Sequence, residues 1–289
     1  MESVQEVGSR LGATGYLTDD ALDTVVFLAL RMQRPLLLEG EPGTGKTALA
    51  EALALALDLP LIRLQCCEGI DATQALYDWD FPRQILHLRA LEAAGGGADV
   101  EEAEKSLYDA RFLLARPVLA ALRESPAVLL VDEIDRADDE FEAFLLEVLS
   151  TYQVTIPELG TVKAIEPPIV ILTSNRTREL HDALKRRCLY HWIDHPGLER
   201  EIEIVRSRAP EVSAALADQV VRLVQQLRGR EELLKPPGVA ETLDWARALD
   251  HLGTQEVDLA VAAATLGALV KYREDSDRVK QALVRMLSR

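Results

Sequence analysis

Cysteine is nearly absent, with three in 289 residues, and two of them, Cys66 and Cys67, are neighbours that a strand would point to opposite faces. That excludes a disulfide framework, and with no histidine nearby it argues against a metal site built on thiolates. Positive charge is also short: 32 Lys and Arg stand against 48 Asp and Glu, for a formal net charge of −16. A general nucleic-acid-binding role would need a basic patch working against that field, and the sequence shows none. Long apolar runs are missing as well. No stretch reaches the roughly 18 residues that span a bilayer, and the opening MESVQEVGSR lacks the basic-then-apolar layout of a signal peptide. The expectation is a cytoplasmic protein with no membrane partner. Nor is there an internal repeat. What the chain does have is 48% hydrophobic residues over a length that suits a substantial core and two domains, one large and one small.

One stretch organises the rest. Leu36 to Thr47 reads LLLEGEPGTGKT, a short buried-strand run followed by eight residues, Gly40 to Thr47, that fit G-x-x-x-x-G-K-[ST]. The chemistry is that of a phosphate-binding loop. Gly40, Gly43 and Gly45 let the backbone turn tightly and bring its N–H groups against phosphate oxygens. Lys46 supplies a point charge for the β- and γ-phosphates, and Thr47 a hydroxyl for Mg²⁺. The alanine- and leucine-rich helix that follows turns its positive N-terminus toward the anion. Candidate nucleotide-binding residues are therefore Gly40, Glu41, Pro42, Gly43, Thr44, Gly45, Lys46, Thr47 and Ala48, with ATP and Mg²⁺ as cofactors.

Around that stretch the pattern is strand, loop and helix in alternation. Ala21, Leu22, Val25, Val26, Leu28 and Ala29 form a helical stripe closed by Pro35, and the loop GATGYL before it suits equally part of a base pocket or a plain surface turn. LIRLQCC is a second strand, and Gln65 at its end could reach an active site or simply be satisfied there. From about 75 to 115 the chain departs into an excursion. It carries Trp79 and Phe81 among Asp78, Asp80 and Pro82, then Gly95-Gly96-Gly97, then an acidic helical stretch; the two aromatics suit either partner contact or folding back. After a short helix at 117–125, Ala127 to Val131 is a continuous apolar run of the kind buried on both faces of a parallel sheet, and it ends in Asp132-Glu133. A carboxylate there is placed to hold Mg²⁺ and a second to polarise the attacking water, so Asp132 is assigned to the metal with Thr47, and Glu133 to catalysis. TYQVTIPELGTVKAI predicts a hairpin. IVILTSN predicts another strand, with Asn175 at its ligand-facing end. Arg186 and Arg187 close the next helix; such a pair is usually a solvated face or a set of ion-pair partners, and here it stands where a charge can be presented to a neighbouring subunit's phosphates. From Pro196 on, the pattern is helical throughout.

The order GEPGTGKT, VLLVDEID, TSN, an arginine pair and a helical bundle resembles an AAA+ ATPase over nearly the whole chain. The excursion and the hairpin before TSN resemble the MoxR ATPases, and RRCLYHWIDHP and GVAETLDWARAL resemble the branch associated with maturation of carbon monoxide dehydrogenase. That resemblance implies an α/β P-loop fold, a parallel sheet flanked by helices and followed by an all-α lid, with domains at 1–195 and 196–289. It makes Lys46 and Thr47 Walker A residues, Asp132 and Glu133 Walker B, Asn175 the first sensor, and Arg187 the finger that acts on the next subunit of a ring, commonly a hexamer. It also implies a chaperone-like remodeller or metalloenzyme-maturation factor, with a protein client and a partner bearing a von Willebrand factor A domain. One departure stands out: the family's second-sensor arginine has no counterpart at Val239, Ala240 and Glu241, and Arg247 lies further along the same helix.

Other classes fit less well. A GTPase would need an N-K-x-D-like base-reading motif, and a P-loop kinase has no use for an asparagine sensor and a trailing helical domain. An ATP-switched scaffold would leave Glu133 idle. A DNA-dependent AAA+ motor is opposed by the acidity.

Overall fold

The computed structural model describes residues 1–93, 105–230 and 233–287. The predicted Gly95-Gly96-Gly97 break lies outside them. Two compact units partition the chain. One comprises Met1–Asp23, Glu39–Ala52 and Trp192–Arg289, and the other Thr24–Leu38 and Leu53–His191.

Most of a parallel five-stranded sheet belongs to the second of these units. Its strands are β1 (Leu36–Gly40), β2 (Leu61–Gln65), β5 (Val128–Asp132), β8 (Ile169–Ser174) and β9 (Leu189–Ile193), in the order β2-β5-β8-β1-β9. The apolar runs explain the order. Every residue of β5 is buried, as expected of an inner strand covered on both faces, whereas β2 has a largely exposed pattern and lies at the sheet's edge. Register follows residue by residue: Gln65 stands beside Asp132, and Val131 beside Leu172.

Helices α6 (Pro117–Arg123) and α7 (Asp139–Thr151) pack on that sheet. The spacing of Phe141, Leu145, Val148 and Leu149 buries one stripe of α7 among Leu129, Val131, Leu172 and Leu184. Asp138 caps its start by accepting the Phe141 N–H at 2.9 Å. The predicted hairpin is an antiparallel pair, β6 (Gln153–Ile156) with β7 (Gly160–Lys163).

The excursion has a root that its sequence did not announce. Strands β3 (Tyr77–Trp79) and β4 (Leu113–Ala115), which lead into and out of it, pair antiparallel. Trp79 folds back: its ring meets Tyr77 and Tyr108 edge-on, with centroids 6.1 and 5.3 Å away. Phe81, by contrast, remains exposed at the start of α5 (Phe81–Ala93).

The other unit is mostly helical. Helices α9 (Leu198–Arg208), α10 (Ala214–Arg230), α11 (Val239–His251), α12 (Leu259–Leu269) and α13 (Arg273–Leu287) enclose a core of Val205, Val220, Val224, Trp245, Leu249, Val279 and Leu283. Inside it lies a buried charge. Glu201 is 0% exposed and receives both terminal nitrogens of Arg228 at 2.9 Å, the Thr242 hydroxyl at 2.8 Å and the Gln225 amide at 2.5 Å. A fully buried carboxylate persists only when so completely paired. Among the described residues no helix is long and apolar enough to cross a membrane.

Candidate nucleotide site

The phosphate loop is a backbone construction. It leaves β1 at Gly40 and enters α3 (Lys46–Leu57) at its first residue, Lys46. Gly43 and Gly45 have φ of +79° and +96°, conformations that a side chain strains. The turn is held by the Thr44 hydroxyl, which donates to the Glu41 carbonyl at 2.9 Å. Lys46 is buried, and its ammonium donates to the carbonyls of Gly40 and Glu41, each at 2.8 Å. The charge is therefore stored within the loop. Thr47 and Ala48 follow in the first turn of α3, half-buried.

Two neighbours adjoin the loop, one of them in the segment that the sequence left between a base pocket and a surface turn. Tyr16, from the segment GATGYL, is buried against it and donates its hydroxyl to the Gly45 carbonyl at 3.3 Å. Burial raises the Tyr16 pKa above that of an ordinary phenol, so the group stays a donor. The second neighbour is the start of α11. The Val239 N–H donates to the Gly43 carbonyl at 3.1 Å, and a Cβ on Gly238 would come within 2.8 Å of the Pro42 carbonyl oxygen. Gly238 is thus a position of close backbone approach. The segment is fixed from behind, where Arg228 Nε donates to the Pro237 carbonyl at 2.7 Å.

No arginine occupies that first turn of α11. Glu241 turns back to accept the Gly238 N–H at 2.9 Å, and Arg247 is engaged with Glu211 at 3.1 Å and the Arg208 carbonyl at 2.6 Å.

The carboxylate cluster is a side-chain construction at the ends of β5 and β8. Asp132 is 3% exposed. One of its oxygens accepts the Thr173 hydroxyl and the other meets Arg63 Nη2 at 2.5 Å. Thr173 Oγ1 in turn accepts the Glu133 N–H at 2.9 Å, so one hydroxyl bridges the two acidic residues. Glu133 sits at φ +54°, ψ +51°, a left-handed conformation that a non-glycine residue adopts at a cost and that here turns its carboxylate out of the strand direction. That carboxylate accepts from the Gln65 amide at 3.1 Å, Arg136 at 3.3 Å and the Asn175 amide at 3.4 Å.

Asn175 is steadied from below by Asp135. This buried carboxylate accepts the N–H groups of Asn175 at 3.2 Å and Thr177 at 2.8 Å. Beside the cluster, burial pushes the Cys66 thiol up to about 12, and the nearby carboxylates add to the effect. It is a neutral packing group there, not a nucleophile.

Asp132, Glu133 and Asn175 are thus brought together, with Gln65 among them and Arg63, which sequence reasoning passed over. Arg187 stands elsewhere in the same unit, at the end of α8 (Asp182–Arg187). With Arg186 it lines a cavity of about 290 Å³ together with Gln33, Arg34, Leu149 and Tyr152.

The donor set fits a magnesium–nucleotide complex better than a dedicated metal cage. Among the described residues no group of three or more His, Cys, Asp or Glu could hold an ion by itself. Mg²⁺ in phosphate-transfer sites instead uses one or two protein oxygens together with phosphates and waters.

The family model for the AAA domain, dynein-related subfamily, matches residues 35–188, more than half of the chain and the whole run from the phosphate loop to the arginine pair. The chain belongs to that family. AAA+ domains bind and hydrolyse nucleotide with Mg²⁺ as a class and commonly assemble into rings.

Among similar proteins, the uncharacterised protein SH1500 of Staphylococcus haemolyticus is 25% identical over 258 residues, 87% of this chain and 89% of that one. The uncharacterised protein YojN of Bacillus subtilis is 29% identical over 77% of this chain and 68% of its own. Among solved structures, a variant of Thermotoga maritima RuvB aligns with a TM-score of 0.48 at 16% identity, covering 92% of this chain and 70% of its own.

Proposed function

We propose that this AAA-domain protein is an Mg²⁺-dependent ATPase. Gly40 to Ala48 cradle the phosphates, and Thr47 with Asp132 holds the ion. Glu133 orients and polarises the attacking water, and Asn175 fixes that carboxylate. Bound Mg²⁺ neutralises charge on the phosphates; the remaining work is positioning by the chain's own groups. The observation that carries the reading is the Thr173 hydroxyl shared between Asp132 and the backbone of Glu133. A merely structural strand end has no need to hold two adjacent acids at a common bridge and to bend the second into a left-handed conformation.

On the resemblance of its motifs, the protein is a MoxR-type remodeller acting as a ring, with 1–195 as the nucleotide-binding domain and 196–289 as the lid. Arg187 reaches the neighbouring subunit's phosphates, and a client protein and a von Willebrand factor A domain protein are the partners. The setting is the cytoplasm. The branch whose motifs it shares points to maturation of a metalloenzyme.

A second reading has its own support. Both acidic side chains are engaged, Asp132 by Arg63 and Glu133 by Gln65 and Arg136, and a scaffold switched by ATP binding alone would look like this. Glu133→Gln separates the two. An ATPase keeps its affinity for ATP and loses turnover by about 10²- to 10⁴-fold, the range for a general acid–base group. Phosphate release that is absent from the wild-type protein, or equal in the variant, would leave the scaffold.

A further inference from the structure

Arg34 lies just beyond α2 (Asp20–Met32), in the turn that leads into β1. The turn is pinned. Gln33 has φ of +51°, and its carbonyl accepts the Tyr152 hydroxyl at 3.2 Å. From there the Arg34 guanidinium reaches across to the end of α8. Its Nε donates to the Arg187 carbonyl at 3.1 Å, and its Nη2 to those of Arg186 at 2.7 Å and Cys188 at 3.2 Å.

These are carbonyls that a helix leaves without intrahelical donors at its C-terminus, and a planar, permanently charged fork matches both their geometry and their partial negative charge. The need for such a cap is acute in α8. The helix has only six residues, with Leu184 its one buried side chain, so the cap adds to the hold of the Leu189 N–H, which donates to the Pro35 carbonyl at 2.8 Å just beyond it. That last turn carries Arg186 and Arg187, whose side chains are exposed.

We infer that Arg34 is a positioning residue for Arg187. By tying the backbone of the last turn to the α2–β1 junction, it sets the direction in which the Arg187 guanidinium leaves the protein. This rests on the proposed role of Arg187 as the finger that stabilises charge on a neighbouring subunit's phosphates. The Arg34 guanidinium faces carbonyls, and its cost when lost is misalignment. A displacement of about 1 Å at a catalytic group is worth on the order of 10²-fold in rate.

The test is a double-mutant cycle on the full-length chain, with ATP turnover at saturating nucleotide and nucleotide affinity measured in parallel for wild type, Arg34→Ala, Arg187→Ala and the double variant. Arg34→Ala should lower kcat by about 10- to 10²-fold and leave nucleotide affinity unchanged. The double variant should be no slower than Arg187→Ala alone, because a finger already absent cannot be misplaced. Arg34→Lys, which keeps the charge and loses the fork, should recover part of the rate. If Arg34→Ala fails to fold, Arg34→Gln enters the same cycle, since an amide can still cap one carbonyl.

Fold-changes that multiply in the double variant would overturn the inference while leaving the finger intact, and so would an Arg34 variant with unchanged kcat. An Arg187→Ala protein that works at full rate would overturn the finger reading and this inference together.

Discussion

The phosphate loop and the carboxylate cluster reach comparable order by opposite means. The loop is a local object. Its turns are made by Gly43 and Gly45, its internal bonds join residues within six positions of one another, and even its charged side chain is folded onto its own carbonyls, with the Tyr16 hydroxyl and the Val239 N–H added from outside. The cluster is assembled from a distance. Asp132 is held by Arg63 and Thr173, which lie 69 and 41 residues away in the chain, and Glu133 by Gln65 and Asn175, 68 and 42 residues away. A structure made by consecutive backbone groups is robust to what the rest of the fold does. One made by converging side chains is only as good as the sheet that aligns them.

The largest effect expected from this difference is at Lys46. Lys46→Ala should abolish tight ATP binding as read by titration with a fluorescent nucleotide, because the loop has no second cation to offer the β- and γ-phosphates. Yet the fold should barely respond. Two carbonyls lose a donor, a net change of about 1 kcal/mol per hydrogen bond, and both lie in a loop that water can reach once the side chain is gone. Urea unfolding should therefore shift little. A collapse in stability would break the comparison, since the loop would then be shown to depend on Lys46 for its shape.

The same difference decides what was legible in the sequence. Gly40 to Thr47 is a contiguous pattern, so the loop could be read directly. The strand ends at Asp132 and Asn175 could be read too, because a continuous apolar run followed by polar residues marks where a buried strand emerges. Gln65 was within reach as a polar residue at a strand terminus.

Arg63 was not legible. It lies inside a short strand as one charged residue among apolar ones, and nothing local says that β2 will be the neighbour of β5. The pairing of β3 with β4 was hidden for a similar reason, since strands of three residues are too short to show alternation. Tyr16 lies in a segment that the sequence left between a base pocket and a surface turn, and Arg34 was not legible at all, because each acts through contacts with backbone carbonyls, and a carbonyl leaves no mark in a sequence.

A smaller effect, but the sharper probe of the cluster, is expected at Thr173. Thr173→Val keeps the shape and β-propensity of the residue and removes only the hydroxyl that Asp132 and the Glu133 N–H share. Both groups then lose a buried partner, at a cost of about 1–3 kcal/mol in stability. Turnover should fall by about 10²-fold, the scale of a misplaced catalytic group, with ATP affinity retained. Steady-state phosphate release and nucleotide titration on the same preparation check both halves. Normal turnover would mean that the sheet alone aligns the two acids, and the contrast with the loop would weaken.

The smallest effect concerns how the two units bury ionisable groups. In the sheet unit, the buried carboxylates of Asp132, Asp135 and Glu142 are all paired. The helical unit instead leaves two buried polar atoms without a hydrogen-bond partner among the described residues, Asp23 Oδ1 and His195 Nδ1. Burial, and then the nearby Arg228, pushes the His195 pKa below its ordinary value. The folded protein therefore holds this imidazole neutral at a pH where the unfolded chain already binds a proton. Stability present above the unfolded pKa of about 6.5 should be lost as the pH falls below it. Burial raises the pKa of Asp23, so that group acts in the opposite sense: its contribution is present at low pH and is lost as the pH rises through its elevated folded value. The two groups act in opposite senses, so the wild-type curve alone isolates neither. His195→Gln removes one of them. Denaturant midpoints measured from pH 8 to 5 should coincide in shape for wild type and variant above about pH 7, then separate, the wild type falling further on acidification. Parallel curves through the whole range would mean that His195 is as well solvated as any surface histidine, leaving Asp23 alone to set the helical unit apart.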